Sequence, residues 1–223
     1  MFTLLIATAG AWDILENSHG SELAWARMPV PYVVNPANDV GLDEEEVLLA
    51  IEAAIASWER GGTQAVQFDT QGEFDGGSAE YDGDNTVYFT QDWPHDPSLL
   101  ALTSTWSTSD GTIVGFDMAI NANQPWSMDG TPGTYDLENM LAHEFGHVLG
   151  LGHTEDDLFA TMHATSVLGE LTKRDLTEDD RDGLAYQYGE LEAQDAMGCS
   201  YGGRGAGFAA VFGLAMLGRR RRR

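Results

Sequence analysis

An eleven-residue window, His143-Glu-Phe-Gly-His-Val-Leu-Gly-Leu-Gly-His153, constrains this chain more than anything else in it. At 100° per residue, His143 and His147 fall on one helix face about one turn apart, so both imidazoles can reach one ion at the Zn–N distance of ~2.0–2.1 Å. Glu144 projects beside them. Gly150 and Gly152 let the chain leave the helix sharply and carry His153 round as a third ligand. Three imidazoles leave a fourth coordination position open, as a catalytic zinc requires and a closed structural zinc does not. At flat residue frequencies, five fixed positions in such a window arise by chance in roughly one chain in 15,000 of this length. Whatever the chain folds into must therefore hold a helix, a tight exit and a returning loop around one ion.

Charge and cysteine content remove several alternatives. The net charge is −25 at pH 7, and it is uneven: all 36 acids precede residue 196, whereas six of the eleven bases, Arg204 and Arg219 to Arg223, fall in the last twenty residues. A body that acidic repels phosphate backbones and anionic headgroups, so no nucleic-acid partner is expected. The single cysteine, Cys199, excludes an intrachain disulfide framework and any cysteine-based zinc site. A length of 223 residues with 43% hydrophobic content suits one catalytic-sized globular domain with tails, expected to be a monomer.

Along the body, Trp25 to Asn35 reads as an extended lead-in and a first strand. A helix follows, capped by Asp43, with acids at its positive end and an apolar stripe of Val47, Ala50, Ile51, Ala54, Ile55 and Trp58 running to Gly61-Gly62. Segments 65–69, 86–90, 100–108 and 112–121 read as strands, the last two joined by a Ser109-Asp110-Gly111 turn. A second helix begins near Asp136 and carries the histidines. Strands first and helices late give an α+β class.

The zinc window together with Ala160-Thr-Met162 resembles the metzincins, whose Met-turn lies beneath the metal. Residues 169–189, with Leu176-Thr-Glu-Asp-Asp-Arg-Asp-Gly-Leu184 at their centre, are similar to the last helix of the matrixins, the matrix-metalloprotease-type domains. The resemblance spans about residues 25 to 189. It implies a twisted, mostly parallel five-stranded sheet with an antiparallel edge strand, and three helices. It also implies that His143, His147 and His153 bind one catalytic zinc, that Glu144 activates water and hands its proton to the leaving amine, and that Met162 is the Met-turn residue. Either Asp179 or Asp180 would tie the last helix to the Met-turn, and Thr177 would cap that helix. The 100–108 strand would be the edge to which an extended peptide adds.

Several positions depart from the family. The 100–106 stretch has no histidine, so a second, structural zinc is not expected, and His95 reads as a plain loop residue. His163 follows Met162 where the family usually has tyrosine, at the far wall of the specificity pocket. Residues 12–24 hold no cysteine that could latch the zinc. For the acidic loop Asp75 to Asn85, calcium binding and plain solvation both fit, because oxygen ligands are plentiful but the EF-hand spacing is missing.

The ends suggest export. Residues 1–24 read as an export signal, closing on Ala9-x-Ala11, with a short leader; 25–190 as the peptidase domain; and 191–207 as a linker containing Cys199. Residues 208–223 are a short hydrophobic stretch followed by five arginines, too short to span a bilayer but suited to transient membrane contact. This tail resembles the MYXO-CTERM class of bacterial sorting tags. The expectation is thus a secreted or cell-surface zinc endopeptidase acting on peptides or proteins. The rival is a catalytically silent zinc-binding adhesion module.

Overall fold

The computed structural model describes residues 12–61 and 66–189. The expected export signal, the linker with Cys199 and the basic tail lie outside the described residues. Among the described residues no helix is long and apolar enough to cross a membrane.

In chain order the elements are β1 (Ala24–Trp25), β2 (Val30–Asn35), α1 (Glu44–Glu59), β3 (Phe68–Glu73), β4 (Thr86–Thr90) and β5 (Ala101–Ser107). They continue with β6 (Thr112–Asn121), β7 (Trp126–Ser127), β8 (Tyr135–Asp136), α2 (Leu137–Val148) and α3 (Glu178–Tyr188). A 3₁₀ turn, Thr172–Arg174, precedes α3. The main sheet runs β3-β2-β4-β6-β5, parallel throughout except for β5, which pairs antiparallel with β6 at one edge. Two-residue β1 adds a sixth strand beside the start of β6, at Ala24↔Thr112 and Trp25↔Ile113. The expected lead-in and first strand are therefore two separate pieces.

Pro31 lies inside β2, between two neighbours, yet removes no ladder bond. Val33, on the same side of the strand, donates to the Asn85 carbonyl just where β4 begins, so one pleat earlier there is no acceptor to miss. Instead the Pro31 carbonyl accepts from Asn85 Nδ2 at 2.6 Å. The strand expected at 65–69 begins later, at Phe68. Val66 is buried, but the ladder with β2 opens at Val30↔Phe68 and continues through the exposed residues 69–73, where no apolar alternation marks it.

Helix α1 follows its sequence signals. Asp43 accepts from the N–H groups of Glu45 and Glu46, and the six stripe residues are the buried ones. Trp58, fully buried, donates its Nε1–H to the Ala142 carbonyl on α2 at 2.8 Å. A buried tryptophan of this kind contributes on the order of 3–5 kcal/mol, so α1 fixes the height of α2 strongly. Phe145 holds α2 to the sheet, in edge contacts with Tyr32 on β2 and Phe68 on β3. The histidine helix is thus clamped between α1 and the sheet.

Candidate metal centre

Asp136 caps α2 by accepting from the Asn139 N–H, and the same carboxylate forks onto Arg174, with Nε to Oδ1 at 2.9 Å and Nη2 to Oδ2 at 2.6 Å. A half-buried, bidentate pair of this type fixes orientation as well as charge. At the other end the helix stops at Leu149, and Gly150 turns with φ +87. A side chain there would drive into the Leu23 carbonyl, so this position needs glycine on both counts. Gly152 differs from the expectation: it has no positive φ, and its lack of a side chain instead admits Asp13, whose carbonyl accepts the Gly152 N–H at 2.8 Å.

The exit delivers His153 to the other two imidazoles. Its Nε2 lies 3.2 Å from His143 Nε2 and 3.1 Å from His147 Nε2. Tetrahedral ligands at the Zn–N distance are separated by roughly 3.3 Å, so the spacing is that of a shared ion. The outer ring nitrogens explain the inner ones. His143 Nδ1 meets the Thr161 carbonyl at 2.7 Å and His147 Nδ1 the Leu151 carbonyl at 2.8 Å. A carbonyl can only accept, so both Nδ1 atoms carry the proton and both Nε2 atoms present bare lone pairs. Lone pairs converging on one point need a cation between them. The same three histidines are the sole cluster of three or more His, Cys, Asp or Glu side chains able to hold an ion among the described residues. The carboxylates of the acidic loop do not converge in that way. His95, in the loop after β4, packs edge-on against Trp93.

The electrostatics favour neutral ligands. Burial pushes His143 well below the usual histidine range and lowers His147, while His153 falls to about 3 through burial and then the neighbouring His147. Neutral imidazoles bind a metal without first losing a proton. Glu144, buried next to them, is pushed up to about 7 by burial, against the Thr103 hydroxyl and the Lys173 charge, which lower it.

Met162 packs directly under α2. A side chain at Gly146 would collide with its Sδ and with Trp58, so helix and methionine are in backbone-close contact. The segment is held from below by α3. Asp180 accepts from the Thr161 N–H at 2.8 Å and the Met162 N–H at 3.0 Å, and also from Thr177 at the helix start. Between the two expected candidates, Asp180 makes this tie. Thr177 caps α3 as expected, in a reciprocal capping box with Asp180.

Two neighbours were not expected from the sequence. Thr103 on β5 donates its hydroxyl to Glu144 Oε2 at 2.7 Å. Lys173, in the 3₁₀ turn, is buried and donates to the His163 carbonyl. Neither belongs to a motif, because each meets the site only through tertiary approach of its element to α2. The outer edge of β5 pairs with no strand among the described residues.

Comparison with known proteins agrees with this geometry. Residues 24–189 match the family described as Matrixin. Human neutrophil collagenase is 33% identical over 151 residues, which is 66% of this chain and 30% of that protein. The Arabidopsis thaliana metalloendoproteinase 2-MMP is 29% identical over 175 residues, 73% of this chain and 42% of that protein. The chain thus spans less than half the length of these relatives. Matrixins use a catalytic zinc, and the three converging imidazoles are arranged to take it. The chain belongs to the matrixin family of zinc metallopeptidases.

Proposed function

We propose that residues 24–189 act as an endopeptidase that hydrolyses peptide bonds in peptide or protein substrates. The observation that carries this reading is the buried carboxylate of Glu144 beside three imidazoles whose Nε2 atoms converge, two of them with their lone pairs turned inward. Zinc in this site supplies a Lewis acid that makes water more acidic and polarises a carbonyl.

The rest is the work of the chain. An extended substrate adds to the open edge of β5, where main-chain hydrogen bonds align the scissile bond with the site. Thr103 occupies Glu144 Oε2, leaving Oε1 to take the proton of the attacking water and then to give it to the leaving amine nitrogen. A carboxyl pushed up to about 7 can move a proton in either direction near neutral pH. Met162 forms the apolar floor below the ligands. Export, and removal of the hydrophobic and arginine-rich tail by sorting, belong to the same reading and rest on the sequence of the two ends.

The test compares peptide turnover and zinc stoichiometry in the parent, Glu144→Gln and His147→Ala. Glu144→Gln is expected to keep its zinc and lose turnover by at least ~10²–10⁴-fold, and His147→Ala to lose both. Parent-like turnover in Glu144→Gln overturns the mechanism. A zinc-loaded parent without turnover points to a binding module.

A further inference from the structure

Residues 12–24, expected as a leader ahead of the domain, are woven into it. Trp12 lies over α3: it packs on Tyr186 with ring centroids 4.6 Å apart, and a side chain at Gly183 would come within 3.1 Å of its Cβ. Ile14 and Leu23 are buried in the hydrophobic core. Asn17 ties the following turn to the end of β5, donating from Nδ2 to the Thr108 carbonyl at 2.9 Å.

Between these anchors the segment runs antiparallel to the exit of α2. Ile14 pairs with Leu151, the Leu15 N–H donates to the Gly150 carbonyl at 2.8 Å, and the Asp13 carbonyl accepts the Gly152 N–H. The last of these bonds reaches the metal site through one rigid unit, because the Gly152 N–H and the Leu151 carbonyl belong to the same planar peptide group. Asp13 holds that group by its N–H, and its carbonyl accepts from His147 Nδ1. The peptide on the other side of Leu151 is fixed likewise, the Gly150 carbonyl by Leu15 and the Leu151 N–H by the Gly146 carbonyl at 2.9 Å. Rotation of either plane turns the Leu151 carbonyl away from the imidazole it orients, and His153 follows two residues later. An acceptor on the N–H also polarises the group, so the carbonyl binds the imidazole more strongly.

We infer that residues 12–15 are a positioning strap for the metal site, and thus a permanent part of the working peptidase domain and not a leader to be cut away. The Asp13 carbonyl holds the peptide that aims His147, Leu15 holds the one before it, and Trp12 moors both to α3. Processing that yields a working enzyme then stops ahead of Trp12, as a cut after Ala9-x-Ala11 would, and a cut inside 12–15 switches the site off. The strap acts on zinc affinity, so its test is separate from the turnover that tests the endopeptidase reading.

The experiment measures zinc affinity by competition with a chelating dye, and the visible spectrum of the cobalt-substituted full chain, which reports ligand geometry. Leu15→Pro removes one donor of the strap and touches no ligand. Gly152→Ala places a methyl group 3.2 Å from Asp13 Cβ and pushes the strap outward; Gly152 has no positive φ, so alanine adds no backbone strain there. Each is expected to weaken zinc binding at least about tenfold, as loss of a ligand's outer partner does, and to alter the cobalt bands. Adding Asp13→Gly to Gly152→Ala clears the space and recovers most of the affinity, because residues in contact couple. Val87→Ala, a core truncation in β4, lowers stability but keeps zinc affinity within about twofold of the parent. If Leu15→Pro does not fold, the Gly152 pair decides. Parent-like zinc affinity in Gly152→Ala, a loss that Asp13→Gly does not relieve, or an equal loss in Val87→Ala overturns the assignment.

Discussion

The region from α2 to α3 and the acidic loop between β3 and β4 handle polar groups in opposite ways. Around the histidines, charged and polar side chains are buried and answered one by one: Asp136 by Arg174 and Asn139, Asp180 by the N–H groups of Thr161, Met162 and Thr177. Residues 69–84 are exposed throughout, and two side chains of the sheet, one buried and one half-buried, tack them down. Asp117 accepts from the Glu80 N–H, the Thr86 N–H and the Thr86 hydroxyl, while Asn35 donates to the Gly76 carbonyl. The contrast shows where precision is required. A metal site needs ligands held from outside, and each buried group does that holding, whereas the loop needs only to stay attached.

Three changes sharpen the contrast. Asp180→Ala should have the largest effect, since it strips an acceptor from three buried or half-buried N–H groups at once. A loss of at least about 3 kcal/mol in denaturant unfolding is expected, with weakened zinc retention; a loss under about 1 kcal/mol would show that α3 does not hold the Met162 segment. Next, Thr103→Val should lower kcat by up to about tenfold with KM nearly unchanged, and Thr103→Ser should restore it. Equal kcat in all three proteins would remove Thr103 from the positioning of Glu144.

The smallest effect belongs to the loop anchor. Burial pushes the Asp117 carboxyl up to about 6 from the ordinary 3.8. The folded protein then holds a proton that the unfolded chain releases between these values, so this contribution is present below about pH 3.8 and lost as pH rises through 6. Relative to Asp117→Asn, the parent should therefore lose stability on going from pH 4 to 7, by about 1 kcal/mol after solvent screening. A difference between the two proteins that does not change with pH would contradict the sign.

The same contrast governs how much could be read from the sequence. Helix α1 was legible because cap and stripe are local, and 86–90 and 112–121 coincide with β4 and β6 because their apolar content is unmistakable. β3 was displaced because its outer residues are polar and exposed, so only its register with β2 locates it. At the site, the three histidines and Glu144 were legible because ligation dictates their spacing. Thr103 and Lys173 were not, since a threonine in a strand and a lysine in a loop carry no periodic or motif signal. Choosing between Asp179 and Asp180 needed the phase of α3, which only packing supplies.

The clasp formed by α3 also has a consequence in time. A growing chain has made all three histidines by residue 153, but the carboxylate that braces the Met162 segment arrives only at residue 180. Tyr188, at the end of that helix, then accepts from the Trp25 N–H and donates to the Leu149 carbonyl, closing the first strand and the helix exit onto the last turn made. The frame around the histidines is thus finished at the end of the domain's synthesis and not midway. A product truncated before residue 180 would keep every candidate ligand and lack the scaffold that aims them.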